Sequence, residues 1–374
     1  MHFRSRLNIK LSLLEENFRK LTTLAPKKEV LFMVKADAYG HGMIPIVKFS
    51  HEKLGIKEFG VATLEEALKL RKELPGSQFE IYVFSDLQLP IMENKEKFKQ
   101  NRIIPVIATI GDLDYFLAER DFKHFPLCLK FNTGMNRLGI LSKDANFVAK
   151  KIKDSGRNSI YHLMSHFSSA SYPLKNENNQ SQLNSFSEVK KVFKDNSIII
   201  EKTSLANSGA IEQGFGLEES HIRPGLILYG PSSLNNEYRK LSKWTGKNIS
   251  SLETYIILTF EAKKGMPIGY GATPCPDDGI MAIIALGYGD GFSTRYQGAH
   301  LGHKGHRGII IGRVNMDMTQ VLFPLESKED IRTGENLVIW GNDPREILNF
   351  SDETRTIPYE IFCQLTERIP RVYT

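Results

Sequence analysis

Val30-Leu31-Phe32-Met33-Val34-Lys35-Ala36-Asp37-Ala38-Tyr39-Gly40-His41-Gly42 runs from an unbroken apolar stretch into a lysine and then a glycine-punctuated turn. An apolar run without polar alternation predicts a strand covered on both faces. The same texture recurs at 59–62, 80–84, 103–107, 126–131, 160–166, 198–205 and 226–229, with helical patterns between the runs. Eight such strands alternating with helices predict an α/β fold, a closed (β/α)8 barrel of the TIM type. An open doubly wound sheet is the alternative the pattern allows. Upstream, Ser12-Leu13-Leu14-Glu15 reads as a capping box that opens an amphipathic helix through Phe18 and Leu21. After residue 235 the texture changes: runs at 255–260, 281–286, 308–313, 319–323 and 336–340 follow one another without helices between them. Turns such as Lys264-Gly265-Met266-Pro267 separate them. The chain therefore divides into a barrel at 1–235 and a mostly-β C-terminal domain at 236–374.

Composition narrows the function classes. The 374 residues are 41% hydrophobic and 25% charged, ordinary for a chain with a normal core. The net charge of +6 comes from 49 basic residues interspersed with 43 acidic ones. Basic clusters at 95–99 and 150–153 read as solvated helix faces, so no nucleic-acid partner is expected. Cys128, Cys275 and Cys363 are far apart, with neither disulfide nor zinc spacing. His303-Lys304-Gly305-His306 lacks further ligands and reads as loop, so no metal is expected. The opening Met1-His2-Phe3-Arg4-Ser5-Arg6-Leu7 has no apolar signal core, and no stretch is long enough to span a membrane. A cytoplasmic location is the expectation.

In a barrel, side chains at the C-terminal ends of the strands face one shared site. Lys35 closes the first run, and a lysine at an apolar strand end can lose its proton and form a Schiff base. Lys130 and Lys202 hold comparable positions, so placement alone does not single out Lys35. Loops after the last strands of such barrels often hold a phosphate. Two segments stand there: Ser204-Leu205-Ala206-Asn207-Ser208-Gly209, with hydroxyls, and Arg223-Pro224-Gly225-Leu226, with backbone amides beside a glycine. Either is also ordinary turn chemistry.

The segment from Val34 to Gly42 resembles the cofactor-lysine signature of the alanine racemase family. The likeness continues in order through Leu129-Lys130-Phe131-Asn132-Thr133-Gly134-Met135-Asn136-Arg137-Leu138-Gly139, Ser165-His166-Phe167, Ala206-Asn207-Ser208 and Arg223-Pro224-Gly225. It resumes at Gly269-Tyr270-Gly271-Ala272-Thr273, Gly287-Tyr288-Gly289-Asp290-Gly291, Asn315-Met316-Asp317-Met318, Tyr359-Glu360-Ile361 and Arg368-Ile369-Pro370-Arg371. The resemblance implies a pyridoxal 5'-phosphate-dependent isomerase that interconverts L- and D-alanine and supplies D-alanine for peptidoglycan. Lys35 would carry the cofactor as a Schiff base and act as one catalytic base, with Tyr270 as the second on the opposite face of the substrate. Tyr39, Ser204, Gly225, Leu226 and Tyr359 would hold the phosphate. Arg223 would face the pyridine nitrogen and, being a donor only, leave it unprotonated. That weakens the cofactor's electron sink and favours simple reprotonation. A phenol titrating at about 10 needs cationic surroundings to act as a base, and His166 with Arg223 would supply them. Arg137 would bind the cofactor's phenolic oxygen and the substrate carboxylate, which also meets the backbone of Met316. Lys130 matches a lysine that is carbamylated in many members, and Tyr288 a residue at the substrate entrance. Tyr270 and Met316 would serve the partner's cofactor, which implies a head-to-tail homodimer.

Some positions depart from the family pattern. Asn132 stands in place of an aspartate, Ser168-Ser169-Ala170-Ser171 differs from the usual stretch, and Pro274 follows Thr273 where an aromatic is common. The competing readings are a racemase of another amino acid, such as serine or lysine, or of broad specificity, and a non-catalytic cofactor-binding barrel. Tyr359 matches the alanine-type residue, and barrel-only relatives lack a β domain and a counterpart of Tyr270. A Schiff-base aldolase would share the barrel and lysine but needs neither Arg223 nor a second domain.

Overall fold

The computed structural model describes residues 4–85, 87–173 and 176–374; Met1-His2-Phe3, read above for a signal core, lie outside the described residues. A first strand, β1 (Ser5–Ile9), precedes the helix Leu11–Leu24. Eight parallel strands then form a barrel: β2 (Glu29–Met33), β3 (Glu58–Val61), β4 (Glu80–Val83), β5 (Ile103–Ile107), β6 (Cys128–Asn132), β8 (Ser159–Met164), β9 (Ile199–Asn207) and β10 (His221–Arg223). A two-residue strand, β7 (Ile140–Leu141), lies beside β6. Ile222 opposite Val30 and Val106 opposite Cys128 complete the ring. Continuous apolar runs are what such strands require, because both faces are covered.

Seven of the eight barrel strands lie where the apolar runs put them. The eighth does not. Residues 226–229 form a short helix, Leu226–Tyr229, and the strand is the preceding His221–Arg223. All four residues of that helix are fully buried, so no polar face remains to separate a helical period from an extended one. The strand is short and carries polar side chains into the barrel interior, which hid it. Because Leu226–Tyr229 is so short, the helix Leu11–Leu24 covers the seam of the barrel. Buried Asn17 donates to the carbonyls of Leu228 (3.0 Å) and Lys247 (2.8 Å) and accepts from the Lys247 amide (2.8 Å). The expected capping box at Ser12 is absent: the helix starts at Leu11, and Lys10 makes no side-chain cap. Its first amides are met by backbone instead, Lys10 by the Ile249 carbonyl and Leu11 by that of Thr374, both at 2.8 Å.

The second sheet contains β11 (Ser250–Ala262), β14 (Gly279–Ile284), β15 (His300–His303), β16 (His306–Ile310), β17 (Thr319–Pro324), β18 (Asn336–Trp340) and β19 (Arg371–Tyr373). A small hairpin of β12 (Pro267–Ile268) and β13 (Thr273–Pro274) stands apart from it. The order is β15-β16-β17-β14-β11-β1-β19, with β18 also on β11. β1, which lies within the segment read as barrel, therefore pairs in the second sheet, antiparallel to β11 and parallel to β19. Segment 303–306 is the turn of the β15–β16 hairpin, where His303 pairs with Glu335 and His306 with Asp330. No helix among the described residues is long and apolar enough to cross a membrane.

Candidate active site

Lys35 follows β2 by two residues, at the end of the barrel where the strands point their carboxyl termini. Beyond it the backbone does something unusual. Ala36, Asp37, Ala38 and Tyr39 all take φ between 51° and 55°, one turn of left-handed helix made by side-chain-bearing residues. Each such residue costs on the order of 1–2 kcal/mol. The turn is pinned by hydrogen bonds from Ala38 to the Val34 carbonyl (2.8 Å), Gly40 to Ala36 (2.9 Å) and Gly42 to Asp37 (2.9 Å). Two carboxylates complete it: Asp37 accepts from the Met43 amide (2.9 Å), and Glu66 from the Ala36 amide (2.6 Å). The reversed hand sends Lys35 into the cleft and folds Tyr39 back beneath it. The Tyr39 ring packs 4.9 Å from Tyr229 and 5.7 Å from Tyr359.

Around Lys35 lies a cleft of about 760 Å³. Tyr39, Lys130, Arg137, His166, Arg223, Gly225 and Tyr359 all line it, from six different places in the chain. Two residues expected there do not. Leu226 is fully buried behind Gly225. Ser204 lies beneath the cleft, where its hydroxyl meets His162 Nε2 (2.9 Å) and accepts from Arg223. The hydroxyl that faces the cleft is Ser208, four residues on, at the start of the helix Ser208–Gln213. Asn207, whose side chain caps that helix by accepting from the Ala210 amide (3.2 Å), is the sequence signal that would have pointed to Ser208. Ser208 accepts from the Gly225 amide (3.0 Å) and bonds Tyr359. A Cβ on Gly225 would stand 2.4 Å from the Tyr39 hydroxyl, so only glycine lets the two approach. Two short helices begin here, and their first-turn amides lack intrahelical acceptors.

The charged side chains of the lining are all cationic. Arg223 is almost fully buried, and its guanidinium donates only to neutral acceptors: the Ser204 hydroxyl, the carbonyls of Ser165 and Leu205, and His166 Nδ1 (3.3 Å). Burial alone lowers its pKa to about 10, so it stays charged at neutral pH. Since arginine can only donate, Nδ1 of His166 accepts, and Nε2 keeps the proton. Burial, then Arg223, Lys130, Arg137 and Lys35, hold that imidazole well below its usual range, hence neutral. Lys130 is lowered to about 8 by burial and by Arg223, Arg137 and Lys35, with no carboxylate against it. Lys35 reaches open solvent in the cleft but is hemmed in by protein. Desolvation, then Arg137, lower its pKa, while Glu66 and Cys363 act the other way. Lys202, the third candidate, is spent elsewhere: it bonds Glu58 (2.8 Å) and Glu80 (3.0 Å) toward the opposite end of the barrel. Asn132 is likewise turned away from Lys130. Its Oδ1 accepts from the amides of Gly134 (3.1 Å) and Asn136 (3.0 Å), shaping the loop that carries Arg137.

The second domain roofs the cleft with one helix, Pro358–Gln364, which presents Tyr359 and, one turn later, Cys363. The sequence had flagged Cys363 only for its isolation. Tyr270, Tyr288 and Met316 do not reach this cleft. They lie in the second domain at 72%, 45% and 53% exposure, with Tyr270 at the tip of the β12–β13 hairpin. The Met316 loop is held by the Gly289 amide on the Met316 carbonyl (2.8 Å) and by Arg368 on Asp317 (2.8 Å). Two other grooves, about 770 and 980 Å³, differ in one respect. Each holds cations already bound to carboxylates: Arg239 with Asp352 and Arg345 with Asp343 at one, Lys304 with Glu335 and Arg307 with Glu353 at the other. The four cations of the barrel cleft, Lys35, Lys130, Arg137 and Arg223, have no ion-pair partner among the described residues, and together they suit anionic ligands.

Comparison with known proteins bears on what those anions are. The family profile for the N-terminal domain of alanine racemase matches residues 9–233, and that for its C-terminal domain matches 249–373. The chain belongs to the alanine racemase family. An alanine racemase of Pasteurella multocida is 32% identical over 369 residues, covering 96% of each chain. The solved biosynthetic alanine racemase of Pseudomonas aeruginosa superposes with a TM-score of 0.85 at 27% identity over the full length of both chains. An alanine racemase of Bartonella henselae, solved with covalently bound pyridoxal phosphate, gives 0.85 at 25% identity, again over both full chains.

Proposed function

We propose that this chain is a pyridoxal 5'-phosphate-dependent racemase that interconverts L- and D-alanine with two bases, Lys35 and Tyr270. The observation that carries the reading is the gathering of four cations, none with an ion-pair partner among the described residues, around a cradle of hydroxyls and amides. The donor set fits the cofactor. Tyr39, Ser208, Tyr359 and the amides from Gly225 onward suit a phosphate, and the 2.4 Å gap that forbids a Cβ at Gly225 is what a close-fitting anion cradle requires. Ser208 takes the part assigned by resemblance to Ser204.

When bound, the cofactor supplies an electron sink for the substrate's α-carbon. Everything else falls to the chain. Lys35 would hold the cofactor, and its depressed pKa suits its Nζ to taking up a proton. Arg223, bound only by neutral acceptors, keeps an uncompensated charge beside His166 and would present it to the cofactor. Arg137 pairs with the substrate carboxylate. Lys130, partly neutral near physiological pH, is a nucleophile for carbon dioxide, and its carbamate would give Arg137 a counterion. Tyr270 and Met316, exposed on the second domain, would complete the site of a second copy in a head-to-tail dimer. There His166 Nε2–H would stabilise the Tyr270 phenolate. The working division is barrel 1–235 and β domain 236–374, with β1 lent to the latter. The enzyme would work in the cytoplasm, supplying D-alanine for peptidoglycan.

Two bases on opposite faces need no swing around the substrate, and this makes the mechanism testable. Replacing Tyr270 with Phe is expected to reduce α-proton exchange from L-alanine about 10²-fold more than exchange from D-alanine, the usual scale for losing a positioned base. NMR of each enantiomer in deuterated water reads this out. Equal losses would reduce Tyr270 to a positioning role.

A further inference from the structure

Helix Leu64–Glu73 starts with a capping box, in which the Glu66 amide donates to Thr63 Oγ1 (3.3 Å) and the Glu66 carboxylate reaches back to the Thr63 amide (3.4 Å). A cap needs no more than that. Yet the same carboxylate makes two shorter bonds, with Oε2 to the Ala62 amide (2.7 Å) and Oε1 to the Ala36 amide (2.6 Å). The last lies thirty residues away, on the neighbouring strand's exit, and Ala36 is the residue after Lys35.

We propose that Glu66 is a positioning residue for Lys35: its carboxylate ties the first amide of the left-handed turn to the end of β3 and so fixes where the Lys35 amine enters the cleft. The geometry is that of a clamp. Lys35 leaves β2 and Ala62 leaves β3, two adjacent parallel strands, and one carboxylate bridges their exits with one oxygen each. The turn it holds is strained over four successive residues, Ala36 to Tyr39. The other bonds of that turn run within it, to Val34 and Met43, or from its Ala38 and Tyr39 carbonyls to the His41 ring, so Glu66 alone among the described residues ties its first amide to the barrel wall. The same group acts electrically. Lys35 faces Arg137, Cys363 and Glu66, and Lys130 and His166 share the cleft with it. Among these Glu66 is the one carboxylate. It opposes the burial and the arginine that drive the Lys35 pKa down.

The proposal rests on Lys35 being the cofactor lysine, and the test separates the two. The full-length protein, stripped of cofactor, is mixed with pyridoxal 5'-phosphate across pH 6–10. Capture at Lys35 is scored by borohydride reduction and mass mapping. In Glu66→Gln the amide nitrogen cannot accept, and the charge is gone. The pH midpoint of capture should fall on the order of one unit, and the plateau rate at high pH, where the amine is neutral in every variant, should fall roughly tenfold. Glu66→Asp keeps the charge but not the reach, so its midpoint should hold while its plateau drops; it also carries the test should the glutamine variant fail to fold. Thr63→Ala removes the helix cap and leaves the Ala36 bond, and neither quantity should move. Unchanged plateaus in both Glu66 variants, or equal falls in Thr63→Ala, would reduce Glu66 to a helix cap. If the parent protein is not labelled at Lys35, the assignment of the cofactor lysine falls instead.

Discussion

A methyl group at position 225 would lie 2.4 Å from the Tyr39 hydroxyl, and Tyr39 has no room to retreat because Tyr229 and Tyr359 flank its ring. Gly225→Ala should therefore open the cradle and weaken pyridoxal phosphate binding at least tenfold while the fold persists, as a cofactor titration followed by absorbance would show. Lys130 makes a prediction about stability. Its pKa of about 8 in the folded chain lies below the ordinary 10.5. Below pH 8 both states carry the proton, and the folded state bears the whole penalty. Between these values the unfolded chain holds a proton that the folded chain has released, so stability rises with pH and then levels off. The cofactor-free Lys130→Met protein should accordingly be more stable than its parent at pH 7, by a few kcal/mol at most, with the gap closing by about pH 10.5. Urea midpoints at several pH values measure it, and a gap independent of pH would exclude this account. At this scale what the sequence made readable is position: Lys35, Arg137, His166 and Arg223 all line the cleft. It misled at Ser204 because two serines four residues apart both sit at a strand end. Only the bend of β9 into its helix decides which hydroxyl turns into the cleft and which turns under Arg223.

Strands were legible where their own sequence is rich in apolar residues, whatever their burial. β2 to β6 and β8 are mainly apolar, and β9 has apolar residues on both sides of its polar middle, so these could be read directly. β10 is three residues with a histidine and an arginine at its ends, and β1 and β19 hide in charged sequence because neighbours supply their cover. β1 is nonetheless structural. Leu7 and Ile9 are fully buried, and the strand lies between β11 and β19. Leu7→Ala should cost about 2–4 kcal/mol, the range for a buried leucine truncated in a core. It should also loosen the far end of the chain selectively. The Thr374 amide, bonded to the Ile9 carbonyl at 2.9 Å, should lose hydrogen-exchange protection, while β4 amides deep in the barrel keep theirs. Uniform loss across both domains would mean that β1 supports the molecule as a whole and not this seam.

For the whole molecule, the barrel cleft contains one proposed base, and the other stands exposed on the second domain. Mixing inactive Lys35→Ala with inactive Tyr270→Phe should thus restore activity by subunit exchange. Each mixed dimer has one site with both bases and one with neither, so random exchange returns roughly a quarter of the parental activity. Mixing without recovery, with exchange shown by mass spectrometry, would place both bases on one chain. The two-domain plan was visible in the change of texture near residue 235; the crossing of β1 was not, because pairing between distant segments leaves no local periodicity. That crossing bears on biosynthesis. A strand from the front of the chain must find a place between two others, the further one more than 360 residues downstream in the sequence. During synthesis residues 5–9 lack both neighbours until β11 emerges, and one edge of the strand stays unmatched until residues 371–373 follow. Prematurely terminated chains would keep that edge bare, giving the cell's quality control a mark by which unfinished molecules differ from finished ones.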